Sequence, residues 1–88
     1  MPYTIWLEFE QYSPPVTEDE DGYCNIAVTY DDGRHEGFNV WTIDFFREQV
    51  PTILAEAEAD GVAVLPDILV TRLTREHITE ALRKILHP

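Results

Sequence analysis

The sequence is poor in basic residues. Lysine and arginine together number 6 against 17 aspartate and glutamate residues, which gives a formal net charge of −11. Because phosphate contacts need basic side chains, this balance disfavours direct nucleic-acid binding. A basic protein partner would gain from such a field through faster encounter and rejection of wrong partners. The alternative is that the acidity only keeps a small protein soluble.

Long apolar runs and cysteine pairs are also missing. No stretch approaches the ~20 apolar residues of a membrane span, and residues 1–10 lack the basic region and cleavage site of a signal peptide. Cys24 is the single cysteine, so an internal disulfide cannot form. We therefore predict a cytoplasmic protein without membrane contact. Its 88 residues predict one domain, 1–88, with a single core.

Alternating apolar and polar residues predict three strands in the first half. They cover residues 3–10, 23–30 and 35–41. An Asp-Gly hairpin at 31–34 joins the second strand to the third. The residues between the first two strands, 16–22, are acidic with little to bury, which is typical of a solvated, mobile loop.

Helical spacing dominates the second half. Thr42 is a suitable N-cap for a helix that ends at Gly61. Pro51 either kinks one helix or separates two, and the break is preferred because it preserves backbone hydrogen bonds. A fourth strand over 68–71 follows, buried on both sides if it is central, and Thr74 caps a last helix.

The element order β-β-β-α-β-α predicts an α+β, two-layer sandwich. It has a four-stranded, mostly antiparallel sheet with both helices on one face. The fourth strand runs parallel to the third, either beside it or beside the first. The predicted core residues, identified by their periodicity, are Ile5, Leu7, Phe9, Ile26, Val28, Val40, Phe46, Ile53, Ile68, Val70, Ile78, Leu82 and Ile85.

Nucleophilic catalysis has no support in the sequence. Cys24 lies on the same strand face as Ile26 and Val28, which is typical of a small core residue. Ser13 precedes two prolines without a motif around it. We therefore predict no catalytic residue and no enzymatic activity.

A metal site is equally unsupported. The acidic stretch 17–22 resembles a calcium loop, but Val28 stands where the bidentate glutamate is needed. His35 lies beside hairpin acids, as is common at exposed hairpin tips, while His77 and His87 lie in the last helix and the tail. We predict no metal and no cofactor.

The expected partner-binding residues lie in the first 21 positions. Trp6 and Tyr12 share the wetter face of the first strand, and both residue types favour binding hot spots. The acids of that face and of the following loop would steer a basic partner. The predicted set is Trp6, Glu8, Glu10, Tyr12, Glu18, Asp19, Glu20 and Asp21.

The stretches 38–42, 68–72 and 74–78 (FNVWT, ILVTR and TREHI) carry a family resemblance. Together with the order of elements over residues 23–86, the chain resembles small bacterial immunity-type proteins of polymorphic toxin systems. The resemblance implies a non-enzymatic inhibitor that binds a toxin or nuclease. Two alternatives stay open: a structural or regulatory subunit, either alone or as a homodimer, and a nucleic-acid mimic that blocks a DNA-binding or phage-defence machine.

Overall fold

The computed structural model describes residues 3–86. Strands and helices follow one another as β1 Tyr3–Leu7, β2 Glu18–Asp19, β3 Tyr23–Tyr30, β4 His35–Thr42, α1 Ile43–Asp60, β5 Ile68–Val70, β6 Leu73–Thr74 and α2 Arg75–Leu86. A 3₁₀ turn, Glu8–Gln11, follows β1 directly, so the first strand is shorter than predicted. The α+β class is confirmed.

The main sheet has the strand order β1-β3-β4-β5. The pairs β1–β3 and β3–β4 are antiparallel, and β4–β5 is parallel. This confirms the predicted four-stranded, mostly antiparallel sheet, with the fourth strand beside the third. β5 is an edge strand, so its middle residue, Leu69, is 44% exposed rather than buried on both sides.

A second sheet pairs β2 with β6 and was not predicted. Both of its strands have two residues, and Asp19 of β2 lies opposite Leu73 of β6. The acidic stretch that was predicted to be a mobile loop is therefore tied to the second half of the chain. Leu73, which is fully buried, is a core residue that the periodicity did not reveal.

One face of the main sheet carries the core. The alternating residues Cys24, Ile26 and Val28 of β3 are buried, and their neighbours on β1 and β4 complete that face. Helix α2 closes it with Ile78 and Leu82. Residues buried as predicted are Leu7, Phe9, Ile26, Val28, Val40, Ile68, Val70, Ile78 and Leu82, and the partly buried Ile5 packs against them.

Three other predicted core residues do not pack in the core. Phe46 and Ile53 of α1 are half-buried, because no residue of that helix reaches the core. Ile85 lies on the same side of α2 as Ile78 but is 46% exposed. The last turn of α2 therefore extends beyond the residues against which it could pack.

Helix α1 differs from its prediction in continuity and in placement. It runs unbroken through Pro51, whose exposed position lets the unpaired carbonyl one turn earlier reach solvent. Its first turn packs through Phe45 on the rings of Tyr23 and Trp41, at centroid distances of 5.1 and 4.9 Å. Because strand side chains alternate, these rings lie on the face opposite the core. The two helices thus contact opposite faces of the sheet.

Both predicted ends of α1 are confirmed. The Thr42 hydroxyl accepts a hydrogen bond from the Phe45 amide, and Gly61 ends the helix at φ 80°. The chain turns into β3 at Gly22, whose φ is +92° and whose carbonyl accepts a hydrogen bond from the Thr42 amide. An added Cβ at Gly22 would lie 2.9 Å from the Phe45 Cβ, so only glycine fits beneath the start of α1.

Candidate partner-binding surface

The sheet face opposite the core is largely uncovered; we name it the open face. Trp6 of β1 lies beside Ala27 of β3, which lies beside Gly37 of β4. Trp6 is 45% exposed, and a Cβ at Gly37 would meet only a backbone oxygen at 3.8 Å. The indole therefore borders a shallow floor made of the two smallest residue types. A partner side chain could reach the backbone there.

Glu8 lies at one end of the open face. Its carboxylate accepts a hydrogen bond from the Asn25 backbone at 3.3 Å and one from the Asn25 side chain at 3.5 Å. Glu8 has no basic partner within 4.0 Å among the described residues. It therefore adds an unneutralised negative charge next to Trp6, as the alternation of the first strand predicted.

Glu10 faces the other way and binds Arg75 of α2. The guanidinium donates two hydrogen bonds to the carboxylate, at 2.6 and 2.9 Å, and one to the Ile5 carbonyl at 3.1 Å. The hydrogen bonds from Arg75 hold the pKa of Glu10 below its ordinary value of 4.5. This carboxylate fastens α2 to the first strand and is not free to meet a partner.

Glu18 is engaged in the same manner. Arg72 donates two hydrogen bonds to it, at 2.6 and 2.8 Å, across 54 residues of chain. These bonds lower the pKa of the Glu18 carboxyl and raise that of the Arg72 guanidinium. Together with the β2–β6 ladder, this ion pair fixes the position of the acidic stretch.

Asp19 organises the turn that follows. Only 4% exposed, it accepts hydrogen bonds from the Tyr12 hydroxyl at 3.1 Å and from the Asp21 amide at 2.7 Å. Desolvation and the bond to Asp19 raise the pKa of Tyr12 to about 12. Tyr12 is still 40% exposed, so its ring is available as a contact, whereas Asp19 has a structural role.

Glu20 and Asp21 remain as exposed acids without an ion pair in the described part of the chain. They border a cleft of about 360 Å³ at the end of the sheet where α1 begins. Asp44 and Glu48 of α1 face the same cleft. Arg72, which pairs with Glu18, also lines the cleft and offsets part of this charge. The remaining negative charge comes from two segments that the sequence analysis did not connect.

Charge pairing across the chain leaves most acids uncompensated. Each of the five arginines forms an ion pair with one carboxylate. Twelve of the 17 acidic residues therefore have no basic partner within 4.0 Å among residues 3–86. The acidic stretch 18–22 and the hairpin 31–34 lie at opposite ends of β3, as predicted, so the acids do not form one compact patch.

The described residues offer few groups suited to nucleophilic catalysis or metal binding. Burial raises the pKa of the Cys24 thiol to about 12, so it is protonated at neutral pH. His35 and His77 are each within hydrogen-bonding distance of a threonine hydroxyl. No group of three metal-ligating residues occurs within residues 3–86, and His87 lies outside them. In that same range no helix is long and apolar enough to cross a membrane.

No protein-family model, curated protein or solved structure matches this chain significantly. The predicted partner-binding residues are therefore grouped by their positions in the structure alone. Trp6 and Glu8 lie together on the open face, while Tyr12, Glu20 and Asp21 lie by the acidic end of the sheet. Glu10, Glu18 and Asp19 are held in internal contacts.

Sequence reasoning did not identify several residues that build this surface. Asn25, Gly37, Asp44 and Glu48 belong to it, and the arginines of the two clamps support it. The one available sign was the glycine inside the third strand, since such a residue often marks a close backbone approach.

Proposed function

We propose that this protein is a non-enzymatic, acidic binding protein that neutralises a basic protein partner, in the manner of an immunity-type inhibitor. The partner is a toxin or nuclease whose basic active surface is covered on binding. The proposal keeps the cytoplasm as the compartment, where the single thiol of Cys24 stays reduced.

The observation that carries the proposal is the exposed indole of Trp6 beside the Ala27–Gly37 floor on a largely uncovered sheet face. Tryptophan combines a large apolar area with low conformational entropy, which makes it a frequent hot spot. The small residues beside it leave room for a side chain of the partner. We expect Trp6 to set the residence time of the complex.

The unpaired acids support the same hypothesis. Glu8 lies beside Trp6, and Glu20 and Asp21 lie at the end of the sheet; none of the three forms an ion pair within residues 3–86. Such groups accelerate encounter with a basic protein and lose influence as salt is added. We expect them to govern association rather than dissociation.

The test begins with capture of a basic partner on the immobilised protein. The association and dissociation rates of the purified partner are then measured over a salt series for two test variants and one control. Trp6→Ala should increase dissociation at least about tenfold, as expected for loss of a hot spot. The double variant Glu20→Gln, Asp21→Asn should slow association and flatten its salt dependence.

The matched control is Asp31→Asn with Glu36→Gln, which makes the same charge change at the other end of β3. It should affect association less than the Glu20–Asp21 pair. If neither the first double variant nor Trp6→Ala changes a rate, the open face is not the interface. A mass that rises with concentration in the absence of partner would favour the homodimeric alternative instead.

A further inference from the structure

A second surface with different chemistry lies between the middle of α1 and β5. Five large apolar side chains are exposed within residues 54–69, which we name the crossover segment. Their exposed fractions are 58% for Leu54, 71% for Val62, 82% for Val64, 58% for Leu65 and 44% for Leu69. Single exposed apolar residues are ordinary, but several so close together along the chain, three of them within residues 62–65, favour a contact site.

This segment packs loosely against the rest of the protein, since none of its residues before Ile68 is buried. Helix α1 has no buried residue in its 18 positions and is anchored by the rings of its first turn. The chain joins the sheet again where the Asp67 side chain accepts a hydrogen bond from the Asn39 amide at 2.8 Å. The radius of gyration, 14.4 Å, exceeds the roughly 12 Å of a compact chain of this length.

The charges of the segment indicate what would cover it. Residues 48–71 contain no lysine, arginine or histidine. The acids of the crossover segment, Glu56, Glu58, Asp60 and Asp67, form no ion pair within the described chain. A second copy would bring these carboxylates against each other, which is unfavourable. A partner whose apolar side chains are flanked by lysine or arginine fits both features.

We propose that the crossover segment binds a basic amphipathic helix of the partner protein. The apolar side of that helix covers Val62, Val64 and Leu65, while its basic side chains pair with the acids at the end of α1. This inference rests on the proposed function in taking the partner to be basic. It adds a contact that does not involve Trp6, although Leu69 of the segment lies on the same sheet face as Trp41.

The probe is a synthetic amphipathic helix of leucine and lysine, titrated into the ¹⁵N-labelled protein at moderate salt. A lysine–serine peptide of equal charge is the control probe. Amide shifts with the first peptide should concentrate in residues 54–69, and the control peptide should not reproduce them. The double variant Val62→Ser, Val64→Ser should weaken binding at least about tenfold, because two exposed valines lose their apolar cover. Trp6→Ala should leave it unchanged.

Four outcomes would overturn the proposal. Amide shifts that are identical with both peptides would show that charge alone attracts the helix. Amide shifts confined to residues 18–21 and the open face would show that the helix does not bind the crossover segment. Weaker binding in Trp6→Ala, with no effect of the valine variant, would place the helix on the open face and leave the proposed function intact. A concentration-dependent mass that the valine variant abolishes would show that a second copy is the occupant. Conversely, failure of Trp6→Ala to alter partner kinetics would remove the proposed interface without affecting a peptide site at 54–69.

Discussion

The two helices of this protein are held in different ways. Helix α2, with 12 residues, buries Ile78 and Leu82 completely, and Arg75 in its first turn binds the first strand region. Helix α1, with 18 residues, buries none and depends on ring contacts at its first turn. The longer helix is therefore the less integrated one. Apolar spacing identifies a helix, but only packing decides how much of the fold depends on it.

This difference separates the regions that stabilise the fold from the regions that are available to bind a partner. The core face and α2 carry the packing that a small domain needs, so substitutions there should lower the free energy of unfolding. The open face and the crossover segment contribute exposed groups instead, and loosely held elements are the ones that proteins use for contacts. Each prediction below compares a position in the integrated part with a matched position in the exposed part.

The largest effect is expected from leucine truncation. Leu82→Ala in α2 removes a fully buried side chain and should lower the free energy of unfolding by about 2–5 kcal/mol. Leu54→Ala in α1 trims a residue that is 58% exposed, so its loss should stay below about 1 kcal/mol. Urea denaturation of both variants provides the measurement. Equal losses would mean that α1 is as integrated as α2.

The next effect concerns the anchor of α1. Gly22 and Gly33 both have positive φ, +92° and +88°, but only Gly22 has a neighbour, Phe45, against which a Cβ would collide. Gly33→Ala should therefore lose about 1–2 kcal/mol from backbone strain alone. Gly22→Ala should lose a further 1–3 kcal/mol or so, because Phe45 must move.

Thermal and urea unfolding of the two alanine variants distinguish these contributions. The tryptophan fluorescence of Gly22→Ala should also change, since Trp41 contacts the ring that is displaced. If both variants lose the same amount with unchanged fluorescence, the first turn of α1 is too mobile to act as an anchor.

How far the sequence could predict the structure depends on the distance between interacting residues. The strands β3 and β4 and the caps at Thr42 and Gly61 arise from neighbouring residues, and local patterns identified them. The β2–β6 pair and the Glu18–Arg72 ion pair join positions 54 residues or more apart. No local pattern specifies such contacts. The preferred break of the helix at Pro51 was wrong for a related reason: the free-energy cost of a proline inside a helix depends on what surrounds it in the fold.

The candidate site shows the same division. Trp6 and Glu8 were placed on the wetter face by alternation alone, and they lie there. Glu10 and Glu18 were grouped with them because an acid's partner cannot be read from the acid itself. Only the fold brings Arg75 and Arg72 within hydrogen-bonding distance and so removes both carboxylates from the exposed set.

The helix caps offer a smaller and more direct comparison. Thr42 and Thr74 each accept a hydrogen bond from the amide three residues later, at 3.1 and 3.2 Å. Thr74→Ala should lower the free energy of global unfolding by about 1 kcal/mol. Thr42→Ala should lower it less, because α1 can open locally without the core. Its main effect should be faster amide exchange within α1.

Hydrogen exchange followed by NMR, together with urea denaturation, measures both quantities. Replacement by serine, which retains the hydroxyl, should restore most of the loss at each position. A larger global loss for Thr42→Ala than for Thr74→Ala would reverse the proposed ranking of the helices.

The smallest effect is the pH dependence of the Glu10–Arg75 clamp. The pKa of Glu10 is held below 4.5 in the folded protein, mainly by hydrogen bonds from Arg75. A lowered carboxyl pKa adds stability that is fully present above the unfolded pKa and disappears as the pH falls through the folded pKa. Since both side chains are partly exposed, at 33% and 43%, the clamp should add only about 0.5–1 kcal/mol at pH 7.

Glu10→Gln should therefore be less stable than the unmodified protein at pH 7, and the difference should shrink towards zero below about pH 4. Glu56→Gln on α1 is the matched control, because Glu56 has no ion pair among the described residues. Removing its charge should leave stability unchanged or slightly higher at pH 7, since the net charge of −11 repels itself. Urea midpoints between pH 3 and 7 measure both variants. A deficit of Glu10→Gln that grows as the pH falls would show that Arg75 holds α2 by contacts other than this carboxylate.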